Sequence, residues 1–278
     1  MFKFVSRTFF WTGTLIGLAQ GLAADDGVML IDQKAALSGK VTPGDTPGFP
    51  ATISQPGSYR LSSNLEVPDA ATTGIEITAG NVTLDLNGFT ISGPNVCTPN
   101  PTRCTFAGGA GIGIKAFGAV GELSPSNIRV MNGMVRGMGG HGIRIMGDGT
   151  LVQNVVSSSN GGPGIVVGEG NVIDSVAKLN ASGAAIVGVI VRGCTAANNV
   201  FGIFVRPGGV AEGNVAIANA AVGLSVNNAT ATGNTAVNNG TYGIDAVCPG
   251  VLSGNTAHNN TSGNIRTNGA CSIANNTP

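Results

Sequence analysis

Residues able to do chemistry are few and scattered in this chain. Of 278 residues, 14 are Lys or Arg, 14 are Asp or Glu and only 2 are His. One constellation stands out. Glu76, Lys115, Arg144, Arg206 and Asp245, with Phe204 among them, each alternate with aliphatic residues in short runs that follow a Gly-Ile or its equivalent. Alternation of this kind puts them on the outward side of strands. A strip of Arg and Lys beside an apolar contact can hold an acidic sugar chain through charge-assisted hydrogen bonds. The other readings of such a strip are a solvated strand face with scattered charges, or the working face of an enzyme.

Catalytic equipment is harder to assemble. A calcium-assisted lyase needs several carboxylates on one ion, since calcium takes roughly six to eight oxygens. A glycoside hydrolase needs two carboxyl groups at a fixed separation. The carboxylates here are dispersed, and no such cluster or pair emerges from neighbouring segments. His141 stands before a Gly in a loop and His258 lies in an Asn-rich run. Neither has an Asp or Ser partner in the sequence pattern to orient it as a base. Asp85, between Thr83 and Asn87, reads as an outward residue near a turn. Gly111-Ile112-Gly113, Gly147-Asp148-Gly149 and Gly168-Glu169-Gly170 precede no helix, so they read as corners, not phosphate cradles. Metal-ligand spacing such as C-x-x-C is absent, so no transition-metal site and no cofactor are expected. Calcium enters only with a lyase activity.

The elements that position these residues follow from composition and period. Net charge is +0, which offers no basic excess for nucleic acid. Gly is 45 of 278 and Asn is 27, both costly inside helices. Gly followed by an aliphatic recurs at Gly142-Ile143, Gly164-Ile165, Gly202-Ile203, Gly223-Leu224 and Gly243-Ile244, with weaker matches at Gly183-Ala184 and Gly263-Asn264-Ile265. A second column runs Asn160, Asn180, Asn199, Asn219, Asn239 and Asn260, at spacings of 19 to 21. Three residues before each stands Ser157, Ala177, Ala196, Ala216, Ala236 or Ala257, and four before a β-branched Val or Thr. Runs of three to five alternating residues, broken by Gly or Asn, suit strands. One such unit cannot bury its apolar side alone, so successive units must stack.

The expected fold is therefore all-β: a single-stranded parallel β-helix, a coil of roughly ten turns of about 20 residues. Like residues then sit upon like. The Asn column becomes a structural ladder of side-chain amides, each donor and acceptor. Val155, Ser175, Cys194, Asn214, Asn234 and Asn255 should form a second inward file, and Arg192 should meet Glu212 across adjacent turns. On the strand after Gly-Ile, the first outward file is expected to read Glu76, Gly113, Arg144, Val166, Phe204, Ser225, Asp245, and the next Thr78, Lys115, Met146, Gly168, Arg206, Asn227, Val247. Val28 to Leu37 is expected to form a short capping helix over the first turn.

Residues 1–24 read as a secretory signal: Lys3 and Arg7, then an apolar run, then small residues and Asp25-Asp26. Residues 25–48 read as the N-terminal cap segment and 49–278 as the β-helix. Signal cleavage would leave no membrane anchor, and would place the product in the periplasm or outside the cell. Export permits disulfides. Cys97 with Cys104 and Cys248 with Cys271 are the candidate pairs, leaving Cys194 as a small buried side chain. The polar C-terminal turn is open to closure by the second bridge or by another subunit.

The run Pro56-Gly57-Ser58-Tyr59, then Ser63-Asn64-Leu65, then Asn81 through Gly93 (NVTLDLNGFTISG), resembles bacterial right-handed parallel β-helix repeat proteins of the pectin-lyase-like superfamily. The Gly-Ile and Gly-Asn-x-Ala-x-x-Asn repeats match it too. The resemblance covers about residues 49–278 and implies the fold. For activity it implies either a carbohydrate-binding or surface module without its own catalysis, or a lyase, hydrolase or epimerase acting on an acidic polysaccharide. One fold carries many functions. No Asp-Pro-His run of the alginate-epimerase kind is present.

Overall fold

A computed structural model describes residues 27–98, 103–118 and 123–278. The signal-like segment lies outside the described residues, as do the tips of two insertions.

The chain winds as a right-handed parallel β-helix of ten turns, with three strands to a turn and every long-range pairing in the coil parallel. The first sheet holds the strands after Gly-Ile, from Ala51–Ile53 and Ile75–Ile77 through Ile143–Ile145 and Leu224–Asn227 to Gly263–Asn268. The second runs from Val28–Ile31 through Val82–Asp85 to Ser272–Ala274. The third runs from Leu65–Glu66 through Val176–Lys178 to Thr256–His258. Strands this short pay for their order only by stacking: inward Ile75, Ile114, Ile143, Ile165, Ile186, Ile203, Leu224 and Ile244 form one file, each at most 2% exposed.

Corners are set by residue type. Between the second and third sheets the backbone turns left-handed at Asn132, Asn154, Asp174, Gly193, Gly213, Gly233, Gly254 and Asn275. Gly bears no Cβ penalty there, and Asn and Asp tolerate the conformation better than other residues. At the next corner Ser159, Leu179, Asn198, Ala218, Asn238 and Asn259 do the same, and the residue after each is the ladder Asn. That geometry turns each carboxamide inward. Asn199 Nδ2 donates to Asn219 Oδ1 at 3.1 Å, and Asn219 Nδ2 to Asn239 Oδ1 at 3.0 Å. The same oxygens also accept backbone N–H groups of the preceding turn. The second ladder runs Asn214, Asn234, Asn255 and Asn276, with Cys194 N–H donating into it at 2.9 Å.

Both expected disulfides are present, Cys97–Cys104 and Cys248–Cys271, and Cys194 is free and buried. The first closes a two-stranded hairpin, Val96–Thr98 with Arg103–Thr105. The second ties adjacent turns. Arg192 and Glu212 pair at 2.7 Å in the expected file, where half-exposure limits the gain to about 0.2–1 kcal/mol.

The N-terminal expectation needs correction. Val28–Ile31 is a strand, paired with Gly57–Leu61, and only Gln33–Ser38 is helical. Asp32 sets the boundary: its Oδ1 accepts the Ala35 N–H at 2.6 Å, and Gly39 ends the helix in the left-handed conformation. The residues before Asp32 gain more from extending the second sheet than from another helical turn. The helix still plugs the coil, with Ala36 fully buried against its core.

Candidate functional site

The outward face of the first sheet carries the chemistry. Its register differs from expectation at two turns. Lys115, not Gly113, stands in the first file, directly between Glu76 and Arg144. Gly113 instead takes the inward corner occupied by Gly74 and Gly142, where a Cβ would meet Val135 and the Gly142 carbonyl. The doubled Gly-Ile of Gly111 to Ile114 made the phase ambiguous. Likewise Ile186, not the residue after Gly183, stacks on Ile165, so Val187 fills the fifth place. The file therefore reads Glu76, Lys115, Arg144, Val166, Val187, Phe204, Ser225, Asp245, Arg266.

These residues fall into two groups. At one end Lys115 Nζ lies 2.5 Å from Glu76 Oε1 and 5.1 Å from the Phe117 ring centre. Arg144 stacks over the other cation's ring partner, its Cζ 4.5 Å from the same centre. Two cations facing one aromatic ring are each held by its quadrupole. Glu76 neutralises Lys115, whereas Arg144 has no carboxylate partner among the described residues. At the other end Asp245 is held by Arg266 through two hydrogen bonds, Arg266 Nε donating to Oδ1 at 2.8 Å, and Arg266 stacks on Tyr242. Phe204 stands between the groups. Arg206, in the next file, donates through Nε to the Val167 carbonyl at 3.4 Å, two turns back. The six expected site residues thus share one face, but not as one strip: Glu76, Lys115 and Arg144 gather at one end and Asp245 lies at the other, with Phe204 and Arg206 between.

A groove of about 570 Å³ opens beside Arg144. Its floor and walls are the corners Gly139-Gly140 and Gly161-Gly162, with Pro163, and its rim carries Lys115, Phe117, His141 and Arg144. The Gly pairs exist for packing: a Cβ on Gly139 would strike the Ala70 carbonyl, and one on Gly161 the Gly139 carbonyl. Their bareness also leaves room for a ligand above them. Burial, reinforced by the Arg144 charge, pushes the His141 imidazole down to about 4, so it is neutral at pH 7. Asp85 faces outward as expected, accepting from Asn87 N–H and Asn132 Nδ2. His258 is exposed on the third sheet, away from the groove.

Phe117, Tyr242 and Arg266 were not expected. Phe117 follows Lys115 by two and so shares its side of the strand. Arg266 follows Asp245 by 21, one turn further along the file. Among the described residues no group of three or more His, Cys, Asp or Glu is placed to hold a metal ion, and no helix is long and apolar enough to cross a membrane.

No protein-family model and no curated protein sequence matches the chain. Among solved structures, the periplasmic alginate epimerase AlgG aligns over 81% of this chain and 70% of its own, at 15% identity and a TM-score of 0.47. The A-module of the Azotobacter vinelandii mannuronan C-5 epimerase AlgE4 aligns over 90% of this chain and 92% of its own, at 11% identity and a TM-score of 0.35. Neither likeness assigns an activity to this chain.

Proposed function

We propose that this is an exported β-helix that binds an acidic polysaccharide through the groove beside Arg144, without catalysis of its own. One observation carries the reading: a half-buried arginine, its guanidinium over the Phe117 ring and without a carboxylate partner among the described residues, at the rim of a groove. A partly desolvated cation without a counter-charge is poised for an anion. The groove walls are backbone and ring, surfaces that suit a sugar. The signal-like N-terminus and two disulfides support export.

Titration calorimetry with uronate oligosaccharides tests this. Arg144→Ala should weaken binding at least about tenfold, and added salt should weaken the unaltered protein's binding. Unchanged affinity in the variant would overturn the reading.

A catalytic reading rests on His141. A neutral imidazole beside Arg144 has the protonation state needed to take the proton at C5 of a uronate whose carboxylate the guanidinium holds. Elimination or epimerisation both begin that way. Against it, among the described residues no carboxylate orients the imidazole. Incubation with uronate polymers, with and without calcium, separates the two: unsaturated products or C5 inversion, lost in His141→Ala, would establish an enzyme.

A further inference from the structure

We infer that the polysaccharide is a heteropolymer whose acidic units are spaced by neutral ones, lying along the coil axis. This rests on the acidic-glycan reading above and narrows its ligand.

The spacing of the cations comes first. The Arg144 guanidinium lies over Phe117, on the third strand of the first sheet. Arg206 reaches back to the carbonyl of Val167, on the fifth. The two guanidinium groups are therefore about two strand spacings apart, roughly 10 Å along the axis. An extended pyranose unit spans about one strand spacing, so the cations meet every second sugar.

The surface between and beyond them is the second observation. Val166, Val187 and Phe204 follow Arg144 in the same file, all half-buried. A carboxylate laid over them loses water and gains no donor. A neutral sugar presents its apolar ring face to Phe204 instead, and Phe201, 44% exposed, widens that ledge. Together they border a hollow of about 360 Å³ that ends at Asp245. Asp245 is already matched by Arg266, so this end offers an incoming carboxylate no free positive charge. A polymer with a carboxylate on every unit matches two positions of this face and opposes the rest.

Two hexasaccharides test the inference: one from hyaluronan, where glucuronate alternates with a neutral amino sugar, and one from polygalacturonate, where every unit is acidic. The unaltered protein should bind the hyaluronan hexamer at least about tenfold more tightly. Phe204→Ala, outward and remote from the core, should remove most of that preference, whereas Arg206→Gln should weaken both hexamers alike, because each sets a carboxylate there. Equal or tighter binding of polygalacturonate, with both ligands lost in Arg144→Ala, would overturn the spacing inference while sparing the acidic-glycan reading. Binding of neither, or binding of both unaffected by Arg144→Ala, would overturn the underlying reading and this one with it.

Discussion

Asn219 sits in the middle of the amide ladder, and its removal has a calculable cost. Its Oδ1 accepts the backbone N–H and the Nδ2 of Asn199, both at 3.1 Å. Its Nδ2 donates to the Ala196 carbonyl at 3.1 Å and to Asn239 Oδ1 at 3.0 Å. Asn219→Ala deletes all four. At about 1 kcal/mol net for each, the loss is about 4 kcal/mol, because the Asn199 N–H left behind is buried and water cannot replace its partner. That corresponds to a fall in melting temperature of roughly 8–16 °C for a domain of this size. Asn260 makes the same kind of contacts near the end of the coil, where solvent reaches them. Asn260→Ala should cost only about 1–2 kcal/mol. Urea unfolding followed by circular dichroism measures both. Equal costs, or a cost below about 1 kcal/mol at Asn219, would refute the ladder as a cooperative buried element.

Ala218 is exposed and left-handed, between Asn198 and Asn238 in its corner file. Ala218→Asn should stabilise by about 0.5–1 kcal/mol, seen as a higher urea midpoint with unchanged slope. Burial pushes the Cys194 thiol up to about 12, so alkylating reagents should label no thiol in the native protein and one per chain after urea unfolding, located to Cys194 by peptide mass. Burial and the Arg144 charge lower the His141 value from 6.5 to about 4. The unfolded chain therefore binds a proton there first, and His141 costs stability as pH falls from about 6.5 towards 4, with no effect above that window. His141→Gln should flatten this part of the stability profile, measured by urea melts across pH; an unchanged slope would contradict the burial.

The coil was legible in the sequence because its constraints repeat. Asn160 to Asn260 recur at one-turn spacing, and each is forced inward by the left-handed residue before it. Cys194 could be placed inside because Asn214 and Asn234 share its file. Register failed where insertions break the period. Gly111 and Gly113 offer two phases, and only the packing of Val135 against Gly113 chooses between them. Gly183 looked like a member of the Gly file, yet its left-handed turn displaces it and Ala185 lies against Gly164 instead. The site was legible as a face but not as clusters. Lys115 meets Glu76 across 39 residues, a separation set by the length of an insertion and not by the repeat. Phe117, on the edge of the next insertion, acquires its role only when Arg144 is stacked above it. At the N-terminus, the apolar period of residues 28–37 fitted a helix, but an unpaired sheet edge nearby drew Val28–Ile31 into a strand.

The most direct test of acidic-glycan binding is diffraction from crystals of the exported chain soaked with the hyaluronan hexasaccharide. A glucuronate carboxylate should lie within hydrogen-bond distance of the Arg144 guanidinium, its ring above the Gly139-Gly140 and Gly161-Gly162 corners. Sugar ordered only on another face, with Arg144 bare, would contradict it.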